Sequence, residues 1–400
     1  MPDPELQTLL ELTQIPTAAG LESRVIAWLD RWLADRPGVG VRTDPHGNRE
    51  LFLESAPSTD APLYFTGHLD HPAFAVIGVV APSVIEAEFR GGVMKDYFVG
   101  TPVEWWPTGG EAPIRGTITD EGQQEKPNKS WLIELDEEAD VRVGDLVRWA
   151  LPDAEIIEQD LGTGDRGDVI YTHACDDLAA VAAALCTLDR LRARAEAGEE
   201  IGDVRVLLTL AEEIGFIGAI GASRDGFMPP KSRVIALENS RSFIDSPIGG
   251  GPIVRVGDRL SIFSPGLTAS ICEAAKKLAK HEADMLATEK KRDESAAWRW
   301  QRKLMAGGAC EASVFTAFGY EATCVCLPLG NYHNMADLDR VQAGTNTEPP
   351  TIAREHVAIR DYVGMIDLLE ACALDLPGPG DFRDKLDTLW DEGAAVLGGG

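Results

Sequence analysis

DVIYTHACDDLAAVAAALCTLDRLRARAEAG, residues 168–198, passes from an apolar run through a short polar loop into an Ala-rich helical stretch. DVRVLLTLAEEIG (203–215) repeats the pattern, with the small-residue helix FIGAIGASR (216–224) behind it. SRVIALENS (232–240) and ATCVCLPLG (322–330) read as further buried strands. SPGLTASICEAAKKLAKHEADMLATEKK (264–291), AGGACEASVFTAFGY (306–320) and REHVAIRDYVGMIDLLEACAL (354–374) supply helices. Upstream, ELQTLLELTQIP (5–16) and GLESRVIAWLDRWLAD (20–35) carry apolar positions at helical spacing, and PLYFTGHLD (62–70) is an apolar strand. Strands alternating with helices imply an α/β domain around a largely parallel sheet.

From Pro72 to Gly167 the texture differs. Short β-type runs alternate with turn residues: AVIGVVA, VIEAEFR, TPVEWWPTGG, PIRGTITDEG, SWLIELD, LVRWALP. A small β-barrel or sandwich is expected there. The expected organisation is a discontinuous catalytic domain, 1–70 with 168–400, and an inserted β-domain, 71–167.

The 400 residues hold 37 basic and 65 acidic side chains, a formal net charge of −28. Such a field repels phosphate, which argues against nucleic acid and anionic membrane as partners. The first residues, MPDPELQTLLELTQIP, have neither the basic nor the apolar region of a secretory signal, and no run approaches a membrane span. The seven cysteines are scattered, without a CxxC pair. Free thiols in a reducing cytoplasm are the expectation.

Chemistry-bearing residues recur where strands end. His68 and Asp70 close one strand. Asp176-Asp177 follows the second, Glu212-Glu213 the third and Glu238 the fourth, while His333 stands in the loop NYHN after the fifth. In an open α/β sheet, ligands gather at the carboxyl ends of strands. Singly, each residue has a plainer reading: a buried histidine, a helix N-cap with a first-turn acid, a turn. Together they would place several carboxylates in one crevice, where they repel unless cations neutralise them. Two histidines among carboxylates suit zinc or another first-row metal. A pair of such ions lowers the pKa of a shared water and polarises a carbonyl, and a free carboxylate serves as general base.

The order GHLD, DD, AEE, E, YHN resembles the two-metal exopeptidases of clan MH. The β-rich insertion after the first histidine is similar to that of the glutamyl or deblocking aminopeptidases, including those that build tetrahedral (TET) shells. LTQIPTAAGLES (12–23), DPHGN (44–48), VRVGDLVRW (141–149), IGGGPIVRV (248–256) and WQRKLMAGGACEA (300–312) resemble further stretches of that family in the same order. The resemblance implies a three-layer α/β/α, zinc-exopeptidase-like (phosphorylase/hydrolase-like) catalytic domain with an inserted barrel. It implies that Asp176 bridges two metals, with His68 and Glu238 completing one site and Glu213 and His333 the other. It also implies that Glu212 is the general base, that Asp70 steadies His68, and that the Asp176-Asp177 bond is cis. The implied cofactors are two divalent ions per subunit: zinc, with cobalt or manganese also suited. The implied substrate is a short peptide cut at its N-terminus, and the implied assembly a homo-oligomer, from dimer to dodecamer.

The chain departs from the family pattern at Glu238, where Asp is usual, at Leu178, where Arg is usual, and at Gly308–Ala312, which replaces Gly-Thr-Asp-Ala. Those departures motivate a second reading, a dinuclear amidohydrolase acting on N-acyl amino acids or dipeptides. A third is a non-catalytic metal-binding or scaffold protein, against which the presence of Glu212 argues. His71 and His173 are candidates for the site mouth or an accessory contact. Cys310 has no adjacent base and reads as structural. GGG at 249–251 lacks the Lys-Ser/Thr of a phosphate loop. Trp105-Trp106 reads as barrel core or a subunit contact rather than a ligand platform, and TEKKRDESAAWRWQRK (288–303) as a solvated face.

Overall fold

The structure is a computed structural model that describes residues 3–110, 112–280, 298–380 and 383–397. Two helices open the chain, α1 (Pro4–Leu12) and α2 (Ser23–Ala34), followed by strands β1 (Val39–Thr43), β2 (Arg49–Leu53) and β3 (Leu63–His68). Six strands come next: β4 (Ala73–Ala81), β5 (Val84–Arg90), β6 (Pro102–Trp106), β7 (Ile114–Glu121), β8 (Ser130–Leu135) and β9 (Leu146–Trp149). After them run β10 (Glu155–Asp160), β11 (Arg166–Thr172), α3 (Leu178–Glu196), β12 (Val204–Thr209), α4 (Ile217–Arg224), β13 (Arg233–Arg241), β14 (Ile253–Asp258) and α5 (Pro265–Ala279). The last elements are β15 (Gln301–Met305), α6 (Glu311–Ala317), β16 (Glu321–Leu329), α7 (Leu338–Ala343), β17 (Glu355–Ala358), α8 (Ile359–Leu374) and α9 (Arg383–Gly393).

Among the described residues the main sheet has the order β1-β2-β12-β3-β13-β16-β14-β15. Its centre, β12-β3-β13-β16, is parallel. The flanks are not: β2 runs antiparallel to β12, and β14 to β16. Side-chain alternation sorts the strands into two faces. Phe65, Val206, Ile235 and Val325 pack with α2, α3, α5 and α8. On the other face, Tyr64, Leu207 and Val234 pack with α4 and α6. Period-two burial on both sides gives the three layers expected from the sequence.

β4-β5-β8-β7-β6-β9 close into a barrel. Its interior is aromatic, with Phe98 stacked on Trp131 at 4.0 Å and the rings of Phe74, Phe89 and Trp149 around them. Trp105 belongs to this core, while Trp106 packs at the junction with Ala18 and Ala73 and lies beside Arg24 and Arg148.

One expectation needs correction. The strand ahead of Asp176, β11, is not part of the main sheet; it lies between β10 and β17 in a separate antiparallel sheet. Within the block expected as the inserted β-domain, 71–167, barrel pairing runs to Trp149, while β10 pairs with β11. The helix expected over 264–291 is seen as α5 to Ala279, capped by Lys280 in the left-handed region; the remainder lies outside the described residues. So do most of the stretch 288–303 and the last three glycines.

Candidate metal centre

β3 and β13 run parallel, with Thr66 opposite Ala236. Two residues further along each strand, on the same face, stand His68 and Glu238. The turn after β12 carries Glu212 and Glu213, and is shaped by Ala211 and Phe216 in the left-handed region. The loop after β16 carries His333, with Asn331, His333 and Asn334 also at positive φ. Such conformations cost of order 1 kcal/mol or more for non-glycine residues and concentrate at functional sites. Asp176 lies in the loop from β11 to α3, and the Asp176-Asp177 peptide is cis.

These loops converge. His68 Nε2 lies 3.5 Å from Asp176 Oδ1 and 3.9 Å from Glu212 Oε2. His333 Nε2 lies 3.5 Å from Asp176 Oδ2 and 3.4 Å from Glu213 Oε1. Three sets of potential ligand atoms fall within 4.8 Å of one another: His68–Asp176–Glu238, Asp176–Glu213–His333 and His68–Glu212–Glu213. All five residues expected to ligate are thus brought together, with Asp176 common to the first two sets.

The separations favour a shared cation over direct hydrogen bonds. Two ligands about 2.0–2.1 Å from one tetrahedral ion stand about 3.3 Å apart, whereas N–H···O bonds centre near about 2.9 Å. Asp176 Oδ1 is buried without a hydrogen-bond partner. Both imidazoles face it correctly for metal binding. Nδ1 of His68 is 3.1 Å from the carbonyl of Asp70, and Nδ1 of His333 is 2.6 Å from that of Gly92. An Nδ1–H donated to a carbonyl leaves the Nε2 lone pair turned to the cluster, as a ligating histidine requires. These residues fit a pair of divalent ions.

Electrostatics agree. Burial, reinforced by neighbouring negative charge, pushes the carboxyls of Glu212, Glu213 and Glu238 well above their usual range. At Asp176 burial acts the same way, but His333 and His68 outweigh it and hold the group low. At His68 burial opposes charging, yet Glu212, Asp176 and Asp70 raise it well above the ordinary value. Glu311, at the start of α6, is buried with one oxygen unpartnered; burial lifts it to about 7, offset in part by His68 and the Thr209 hydroxyl.

Asp70 does more than the sequence suggests. Its oxygens accept the backbone N–H groups of Glu212 (2.9 Å) and Glu213 (3.0 Å), while Oδ1 lies 3.6 Å from His68 Nδ1. Asp177 accepts from Asn239 Nδ2 at 2.9 Å and from the His68 amide at 3.3 Å. His71 is buried, with Nδ1 2.5 Å from the Asp176 carbonyl and Nε2 2.9 Å from Asn334 Oδ1, and with His173 it lines a small cavity beside Pro16 and Trp149. His173 contacts the Leu151 carbonyl at 3.1 Å and none of the ligands. Cys310 is fully buried at the N-cap of α6, and all seven cysteines are free. Sequence reasoning missed Glu355, Asn239 and Tyr332, whose ring stacks on His333 at 3.8 Å.

A search of curated proteins finds no match. Among solved structures, the TET1 peptidase of Pyrococcus horikoshii matches at 18% identity, covering 93% of this chain and 100% of that one, with a TM-score of 0.69. A TET aminopeptidase from a marine-sediment Thaumarchaeota archaeon matches at 18% identity, 94% and 98% coverage and TM-score 0.69. An aminopeptidase from Desulfurococcus kamchatkensis matches at 19%, 94%, 95% and 0.69. At such identities these matches establish the fold. Residues 52–289, more than half of the chain, match the model of the M42 glutamyl aminopeptidases. With that match and a site built for metal ions, the chain belongs to the M42 glutamyl aminopeptidase family and is a metallo-aminopeptidase.

Proposed function

We propose that this enzyme removes N-terminal residues from short peptides with two divalent metals, probed first as zinc. Asp176 would be shared between them, His68 and Glu238 would complete one site, and Glu213 and His333 the other. The observation that carries this reading is the convergence of two imidazole Nε2 atoms, each fixed by an Nδ1 contact to a carbonyl, on the two oxygens of Asp176. Bound metals supply charge stabilisation and an acidified water. Glu212 would take a proton from that water as it adds to the peptide carbonyl, and would deliver it to the amine as the C–N bond breaks. Asp70 holds the Glu212-Glu213 turn by its two amides, so base and ligand keep a fixed relation. The family match favours this over the N-acyl amino acid reading.

The proposal extends to a division into 1–70 with 168–400 and 71–167, to a homo-oligomer between dimer and dodecamer, and to a cytoplasmic location. Seven free cysteines support that location. Among the described residues, no helix is long and apolar enough to cross a membrane. The Pyrococcus relative assembles into a tetrahedron or an octahedral shell, which supports self-association; light scattering reads it. Glu212→Gln tests the mechanism: metal content unchanged, kcat on aminoacyl anilides lower by about 10²–10⁴-fold. Wild-type turnover in that variant removes Glu212 from the role.

A further inference from the structure

Glu355 opens β17 and is completely buried. Its carboxylate makes its hydrogen bonds to backbone. Oε2 accepts the N–H groups of Cys175 (2.7 Å) and Asp176 (2.9 Å), and Oε1 accepts that of His333 (2.8 Å). One side chain thus joins the loop carrying the shared carboxylate to the loop carrying the second imidazole. The surrounding strand repeats the junction. Glu355 pairs with Thr172 at the end of β11, and His356 exchanges backbone bonds with Gly330 at the end of β16 (2.9 and 3.2 Å). A second tie runs through side chains: His71 contacts the Asp176 carbonyl and Asn334 Oδ1, and Asn334 donates to the His173 carbonyl at 2.8 Å. A carboxylate taken out of water is costly unless fully hydrogen-bonded. Three N–H groups, one to each side of the gap and a third beside it, meet that cost through charge-assisted bonds.

We propose that Glu355 is a positioning residue that sets Asp176 and His333 relative to each other, and so determines the affinity of the Asp176–Glu213–His333 metal site. Two of that site's ligands are held by Glu355 through their own backbone amides. The His68–Asp176–Glu238 set shares only Asp176 with it, because His68 and Glu238 stand on the neighbouring strands β3 and β13. Replacing the carboxylate should therefore act unequally on the two metals. Gln keeps one acceptor and turns an amide NH₂ toward a backbone N–H, so at least one of the two loops loses its anchor.

The inference rests on the two-metal reading, and metal binding by full-length, metal-stripped protein tests both. Zn(II) is titrated against a chelating indicator, and Co(II) absorption follows each equivalent. Wild type takes up two equivalents. Glu355→Gln retains the first at wild-type affinity and binds the second about 10–100-fold more weakly, the scale for loss of an outer partner of metal ligands. His333→Ala loses the same equivalent, and the E355Q/H333A double variant binds no worse than H333A, since both act on one site. Asp145→Asn controls for general loosening. Asp145 is equally buried, but in the barrel, where it accepts the amides of Thr108 and Arg142. That variant melts lower and keeps both equivalents. Two tight equivalents in E355Q, equal weakening of both, or additivity with H333A overturns the proposal while leaving the two-metal reading intact. Fewer than two equivalents in wild type overturns both. Where E355Q does not fold, Glu355→Asp keeps the charge on a shorter arm; the same second-equivalent loss supports the proposal, and two tight equivalents overturn it.

Discussion

At the scale of single residues, the chemistry depends on how each ligand is held from behind. Asp70 is the clearest case, because one carboxylate accepts two successive amides of the turn that carries the proposed base and ligand. Asp70→Asn leaves one acceptor and sets an NH₂ against the other amide. We expect kcat to fall by about 10–100-fold, by analogy with other outer-shell losses, while far-UV circular dichroism is unchanged; steady-state kinetics checks it. The proposed ligands were legible in the sequence, since a histidine or acid directly after an apolar run stands at a strand end. Their supports were not. Glu355, Asn239 and the His71–Asn334 pair work through contacts between segments distant in the chain, and a hydrogen bond to a distant backbone leaves no local pattern. Asp70 was half legible: its proximity to His68 could be read, whereas its grip on Glu212 and Glu213 required the fold.

At the scale of elements, the barrel and the small sheet show what periodicity can and cannot decide. Short β-type runs with turn residues gave the barrel, whose strands close around six large aromatic side chains. Trp149 touches three of them, at centroid distances of 5.0, 5.6 and 5.4 Å. Trp149→Ala should cost about 3–5 kcal/mol, the range for truncating a buried aromatic, read as a lower midpoint in denaturant. A midpoint equal to wild type would show that the barrel repacks around the gap. β11 was the opposite case. The run DVIYT is apolar enough for either sheet, and an apolar run does not say which neighbour it pairs with. Its pairing with β10 and β17, Thr172–Glu355 included, reveals that this strand serves the small sheet. The same pairing explains how Asp176 reaches a crevice otherwise made by main-sheet strands.

At the scale of the whole molecule, the concentration of buried acid sets a dependence on pH and metal. Burial raises Glu22, Glu311 and Asp361 to about 7, and lifts Glu212, Glu213 and Glu238 well above the ordinary range. Unfolded, these groups titrate near 4.5 for Glu and 3.8 for Asp. Between those values and the folded ones the native state holds more protons than the unfolded chain, so stability falls as pH rises. The contribution is complete below the unfolded values and lost through the folded ones. His71, His173 and His356, held by burial at about 4, 3 and 4, have the opposite sign and offset part of the loss up to about pH 6.5, above which they are neutral in both states; Asp176 also has the opposite sign, but its window lies below 3.8. Metal-stripped protein should thus melt lower at pH 8 than at pH 6.5, at a salt concentration that screens the net charge of −28. Restored metal should raise the melting temperature more at pH 8. A metal-stripped melting temperature that climbs over this range contradicts the assignment. The bond from His333 Nδ1 to the Gly92 carbonyl, which lies just past β5, has a further consequence. Excising the barrel to make a minimal enzyme would remove the acceptor that selects the Nε2-facing tautomer. The trimmed chain would keep every ligand in its sequence and still present one of them with the wrong nitrogen protonated.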